Sequence, residues 1–227
     1  MSSDRNCSYK RQLLLIRHGQ YMNESSHDDG IRVLTDVGEE QAKITGEYLW
    51  SVFQHFVCNN PSSGGSLSNH KNGIVVAAEP KFIHVSDMTR AKQTAKYILD
   101  AFPSHVQNRQ VTDPRLRERF PCDPEPPLRH RHAKYSDMRA AEDVFEQYFH
   151  RPLTCESSVE IIVGHANVIR YLVCRALQLP PEAWLRISLP HCSITSVIIS
   201  GNGHVRVSSI GSSGHLPADK VTTYNLP

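Results

Sequence analysis

The sequence predicts an α/β chain folded as a three-layer α/β/α sandwich around a mostly parallel central sheet. Three observations carry this prediction. Short, continuously apolar runs, in "QLLLIRHG" and "EIIVGHAN", break abruptly into polar, glycine-containing segments, as strands covered on both faces do. Each run is followed, directly or after a loop, by a longer segment with helical spacing. Near the end, "SITSVIISGNGHVRVSSI" alternates around Asn202-Gly203, which predicts a closing hairpin.

The elements follow in order. Residues 12–16 form the first strand, and a polar loop leads to "LTDVGEEQAKITGEYLWSVF". There Thr35 is a suitable N-cap, Glu39 and Glu40 suit the positive end of a helix, and Glu39 with Lys43 is a favourable i,i+4 pair. Ala42, Thr45, Gly46, Leu49 and Phe53 make its small or apolar face. Residues 59–73, "NNPSSGGSLSNHKNG", predict a flexible surface insertion within one domain rather than a boundary. A strand is expected at 82–85, a helix at 88–101, a short strand at 110–112, a stiff proline-rich loop at 121–127 and a helix at 136–150. "EIIVGHANVIRYLVCRALQL" reads as strand, turn, helix. The 227 residues suit one domain, with its core at about 12–221.

Composition narrows the function classes. A net charge of +2 with scattered Lys and Arg predicts no nucleic-acid stripe and no membrane-surface patch. No apolar run approaches the length of a membrane span, and the polar opening at 1–10 does not read as a signal peptide. Six widely separated cysteines with no C-x-x-C pair are expected to be reduced thiols. "RHRH" at 129–132 is a poor metal-ligand set, so no metal is expected there.

In such sheets the functional crevice lies at the carboxyl ends of the strands. The first strand ends on Arg17 and His18, and "IIVGHAN" delivers His165 to the same edge. Arg90, in "SDMTRAKQTA", opens the helix after the second strand. Two histidines with two arginines make an anion site, most naturally for phosphate, because guanidinium forks bind its oxygens bidentately. Helix N-termini at that edge are expected to add N–H donors. There is neither a G-x-x-x-x-G-K-S/T loop nor a G-x-G-x-x-G, so no nucleotide cofactor is implied.

"LLLIRHGQ", "SDMTRAKQTA", "LRE" at 116–118 and "GHANVIR" at 164–170 together resemble the signature set of the histidine phosphatase superfamily, which includes the cofactor-dependent phosphoglycerate mutases. "RHGQY", "DPEPP", "HANVIRYLVCRALQLPPEAWLRISL", "SIT" and "LPADK" are similar to its branch of mitochondrial serine/threonine protein phosphatases, over about 12–221. The resemblance implies a phosphoglycerate mutase-like sandwich and a phosphorylated protein as substrate. It implies His18 as the nucleophile forming a phosphohistidine, and Arg17, Arg90 and His165 as the groups holding the phosphoryl oxygens. Glu118 would be the acid that protonates the leaving alkoxide and then the base that activates water. That role needs a raised pKa, and the nearby arginines would push it down. Asn167 either caps the helix after His165 or orients the pocket. No metal is required, since the arginines supply the positive charge. The resemblance also implies a homodimer, a mitochondrial setting, and higher assembly through an N-terminal segment. Neither that segment nor a membrane anchor is legible in this sequence.

Several positions depart from the family pattern. Glu24 stands where the sugar-phosphate mutases carry an Asn, with Asn23 one place early. Arg119, Phe120, Pro121 and Cys122 follow Glu118 where the similar branch has a Gly and a small residue. Pro190-His191-Cys192 replaces a polar turn before "SIT". These changes are expected on loops at the pocket rim. The alternative function is a phosphatase or mutase for small phosphorylated metabolites, with Arg119, Arg129 and Arg131 as basic rim candidates. An idle binding module on the same fold would be expected to have lost at least one of the five charged or histidine residues.

Overall fold

A computed structural model describes residues 9–59 and 77–223. Apart from Asn59, the expected insertion at 59–73 lies outside them. Strand β1 is Lys10–Arg17, helix α1 Asp36–Asn59, β2 Pro80–Val85 and α2 Thr89–Leu99. Then come α3 (Ser104–Gln107), β3 (Gln110–Thr112), α4 (Tyr135–Tyr148), β4 (Ser158–Gly164), α5 (Ala166–Ala176), β5 (Ile194–Ser200) and β6 (Val205–Ser212). The sheet order is β3-β2-β4-β1-β5-β6. β3, β2, β4 and β1 run parallel, while β5 is antiparallel to both β1 and β6. The chain is therefore the mostly parallel sandwich that the sequence predicts. Sequence periodicity missed α3 and the 3-10 turns Asp29–Ile31, Pro114–Leu116, Pro181–Arg186 and Ala218–Lys220, which are too short to show a period.

Side chains alternate across β1. Leu14 and Ile16 join Leu49, Phe53 and Ile98 in the layer of α1 and α2, while Leu13 and Leu15 join Val144, Leu172 and Val173 in the layer of α4 and α5. A smaller cluster of Phe120, Cys122, Tyr171, Cys174 and Trp184 underlies the proline-rich loop. The Trp184 indole N–H donates to the Cys122 carbonyl at 3.1 Å, so this loop is anchored rather than free at the surface. Thr35 acts as expected at the start of α1, its Oγ1 accepting from Gly38 N at 3.1 Å, and Lys43 lies 3.8 Å from Glu39.

The two ends of the sheet differ in kind. At the amino ends of β1 and β4, Arg11 pairs with Glu160 at 2.7 Å and His84 lies 3.3 Å from the same carboxylate. Burial pushes the Glu160 carboxyl up, but the hydrogen bonds from His84 and Arg11 outweigh it and hold it at about 2. At the other end, β1 and β4 are in parallel register with Arg17 opposite Gly164. The residues that follow, His18 and His165, therefore leave the sheet side by side. Cys122, Cys155, Cys174 and Cys192 are free thiols. Among the described residues, no helix is long and apolar enough to cross a membrane.

Candidate active site

The register of the central strands builds the site. The His18 and His165 rings lie 5.1 Å apart, centroid to centroid. His18 N donates to Gly164 O at 3.0 Å, which locks the two strand ends together. Ser86, just past β2, places its Oγ 2.9 Å from His165 Nε2. Arg90, in the first turn of α2, brings its Nε to 3.3 Å from His18 Nε2. Arg17, His18, Arg90 and His165 are all buried.

The hydrogen bonds assign the tautomer of His18. His18 Nδ1 lies 2.8 Å from the Gly19 carbonyl, which can only accept, so Nδ1 carries the proton and Nε2 is the bare nitrogen. Burial, then the neighbouring His165, Arg17, Arg90 and His191, holds the His18 pKa well below its ordinary value. Burial, Arg90 and Arg17 do the same for His165. Both rings are neutral at physiological pH. Burial also lowers the Arg17 pKa to about 10, leaving it charged. Two buried nitrogens of this cluster, Arg17 Nε and His165 Nδ1, have no hydrogen-bond partner in the protein. Such groups are normally satisfied; a phosphoryl oxygen is an acceptor of the right kind for Arg17 Nε–H, and for His165 Nδ1–H in the tautomer in which the Ser86 hydroxyl donates to Nε2.

Glu118 reaches the cluster from the Pro114–Leu116 turn, which Asp113 caps by accepting from Arg115 N at 2.9 Å. Asp113 N in turn donates to Val85 O at 2.8 Å, tying the turn to the end of β2. Burial pushes the Glu118 carboxyl up, against Arg90, the Arg119 N–H and Arg17, and burial prevails. Asn167 does not cap α5. His165 occupies the N-cap position, and Asn167 Oδ1 accepts from Arg170 Nη1 at 3.1 Å, while its backbone N–H supports the Glu118 carboxylate.

Other expectations need correction. The N–H that opens α2 is not available to a ligand, because Thr89 N and Oγ1 both donate to Asp29 Oδ2, at 2.7 and 2.9 Å. Asp29 Oδ1 also lies 3.3 Å from Arg90 Nη1. The changes after Glu118 and before Ser193 are not all at the rim. Phe120 and Cys122 belong to the cluster around Trp184, and His191 is buried in the pocket wall, its ring 5.7 Å from that of His18. Tyr21 was present in the motif "RHGQY" without a role. Its ring stands edge-on to His18 at 5.1 Å, with the guanidinium carbons of Arg90 and Arg32 4.8 and 5.0 Å from its centroid. An aromatic face suits guanidinium, but only the fold brings Arg32 and Arg90 to the same ring.

A family model described as the Histidine phosphatase superfamily (branch 1) matches residues 140–210. Over 217 residues the chain is 42% identical to the serine/threonine-protein phosphatase PGAM5, mitochondrial, of Xenopus laevis, covering 93% of this chain and 69% of that protein. The chain belongs to the histidine phosphatase superfamily. The protein of the same name from Drosophila grimshawi is 40% identical over 223 residues, covering 96% of this chain and 68% of its own. Among solved structures, a phosphoglycerate mutase from Plasmodium falciparum superposes with a TM-score of 0.56 at 27% identity, covering 95% of this chain and 99% of that one.

Proposed function

We propose that this histidine phosphatase is a metal-independent serine/threonine protein phosphatase that works through a phosphohistidine on His18. The observation that carries the chemistry is the buried, neutral His18, with its bare Nε2 beside Arg90 and a second neutral histidine 5.1 Å away. In the first step His18 Nε2 attacks phosphorus and the bond to the serine or threonine oxygen breaks, while Glu118 donates its proton to that oxygen. In the second step Glu118 takes a proton from water, the water oxygen attacks phosphorus, and the N–P bond breaks to release inorganic phosphate. Arg17, Arg90 and His165 hold the phosphoryl oxygens and spread the transition-state charge. The 3.3 Å contact from Arg90 Nε to His18 Nε2 is long, and a phosphoryl oxygen would take that donor over.

The substrate class rests on relatives at 40–42% identity that are named serine/threonine-protein phosphatases. We carry two further expectations with this proposal: a homodimer, with higher assembly through an N-terminal segment, and the mitochondrial setting named for those relatives. The test is a single-turnover assay on a phosphothreonine peptide and on 3-phosphoglycerate, with a metal chelator present throughout. Peptide dephosphorylation in the native protein and none in His18→Ala is expected. Turnover confined to 3-phosphoglycerate would replace the proposal with the small-metabolite reading.

A further inference from the structure

We propose that His191 is a positioning residue for Arg17, and that Thr222 of the C-terminal segment holds the His191 ring in the orientation this task requires. The inference rests on the phosphoryl-binding role proposed for Arg17. His191 is buried in the turn before β5. Arg17 Nη2 lies 3.0 Å from His191 Nε2. A guanidinium only donates, so Nε2 must be the bare, accepting nitrogen. The proton of the neutral ring then sits on Nδ1, which lies 2.9 Å from Thr222 Oγ1. With the tautomer set by the donor-only guanidinium, the Thr222 hydroxyl oxygen accepts the Nδ1 proton and fixes the orientation of the ring. Burial and the Arg17 charge hold the His191 pKa at about 3, so the ring does not become a competing cation.

Thr222 is itself fixed. Its Oγ1 accepts from Gln41 Nε2 at 2.8 Å, and its carbonyl accepts from His191 N at 2.9 Å. Gln41, buried on α1, also donates to Lys220 O at 2.6 Å and accepts from Gln20 N at 2.9 Å. The C-terminal segment is thus stapled to α1 and to the loop after His18 through one side chain. On the other side, Arg17 Nη1 donates to Leu189 O at 2.5 Å. With Nη1 and Nη2 each held by a protein acceptor, Nε is the nitrogen of Arg17 left without one. His191 and Leu189, which flank Pro190, therefore set the orientation in which Arg17 presents Nε–H to a phosphoryl oxygen.

The experiment compares the native protein with His191→Leu, His191→Gln, Thr222→Val and Thr222→Ser. It reads the affinity for inorganic phosphate by calorimetry, KM and kcat on a phosphothreonine peptide, and the melting temperature. His191→Leu and Thr222→Val are expected to weaken phosphate binding and raise KM by about tenfold, the scale of one lost hydrogen bond to a charged group. Glutamine can offer its amide oxygen to Arg17, and serine restores the hydroxyl, so both should recover most of the loss. Thr222→Val leaves His191 in place and decides the matter if His191→Leu does not fold. Phosphate affinity unchanged in Thr222→Val, or no recovery in Thr222→Ser, overturns the inference. If the native protein binds phosphate but does not turn over the peptide, the functional reading fails, and the order of phosphate affinities still decides the role of His191.

Discussion

Glu118 sits where two effects pull its carboxyl in opposite directions. Arg90 and Arg17 favour the carboxylate, and burial favours the acid; burial prevails. A raised pKa means the proton is kept to higher pH, so the acid that the proposed first step needs is present below that pKa and lost as pH rises through it. The alkaline limb of kcat/KM is therefore expected above the ordinary glutamate value of about 4.3, and it should disappear in Glu118→Gln. That variant should slow peptide dephosphorylation by about 100-fold or more. It should slow para-nitrophenyl phosphate far less, because nitrophenolate leaves without a proton. Equal losses on both substrates would remove Glu118 from the acid role.

At the scale of elements, helix α1 approaches neighbouring backbone too closely for a side chain at two glycines. A Cβ on Gly46 of α1 would lie 2.4 Å from Ile98 O of α2, and one on Gly38 would lie 2.0 Å from Gln20 O in the loop after His18. Alanine for glycine inside a helix normally adds about 1 kcal/mol of stability. Here the sign should reverse. Gly46→Ala must push α1 away from α2, and it should cost about 1–3 kcal/mol, as overpacking does. Denaturant unfolding would measure it, and a stabilised variant would disprove the contact. Gly38→Ala presses on the loop that carries His18, so activity should fall along with stability.

Over the whole molecule, the sheet separates two charged environments. One end holds the satisfied Arg11–Glu160 pair and the other holds buried neutral histidines. An unfolded histidine takes up its proton near pH 6.5. In the fold His18 and His165 do so only well below that value, and His191 at about 3. Acid therefore favours the unfolded chain. The stability these groups contribute is fully present above about pH 6.5 and is lost as pH falls toward the folded values. Each should add a slope of about 1.4 kcal/mol per pH unit in that window. Urea unfolding at pH 7 and pH 5 tests this; equal stability would mean that the fold protonates these rings.

The sequence by itself determined the layers, the strand ends that carry His18 and His165, and the family. Apolar runs and helical periods are local patterns, and "LLLIRHG" and "GHAN" can be read without knowing what lies beside them. It also marked Arg90 and Glu118, but only through motifs, since nothing local says that a helix start and a turn converge on one strand edge. Tertiary structure alone decided the rest. The β1–β4 register set the 5.1 Å between the histidine rings. Burial, a property of the packed whole, decided the direction of the Glu118 shift, which the count of nearby arginines had suggested wrongly. His191 and Thr222 are 31 residues apart in sequence, and His191 is 174 from Arg17. No spacing rule connects them, because hydrogen bonds depend on distances in space that exist only once the chain has closed on itself.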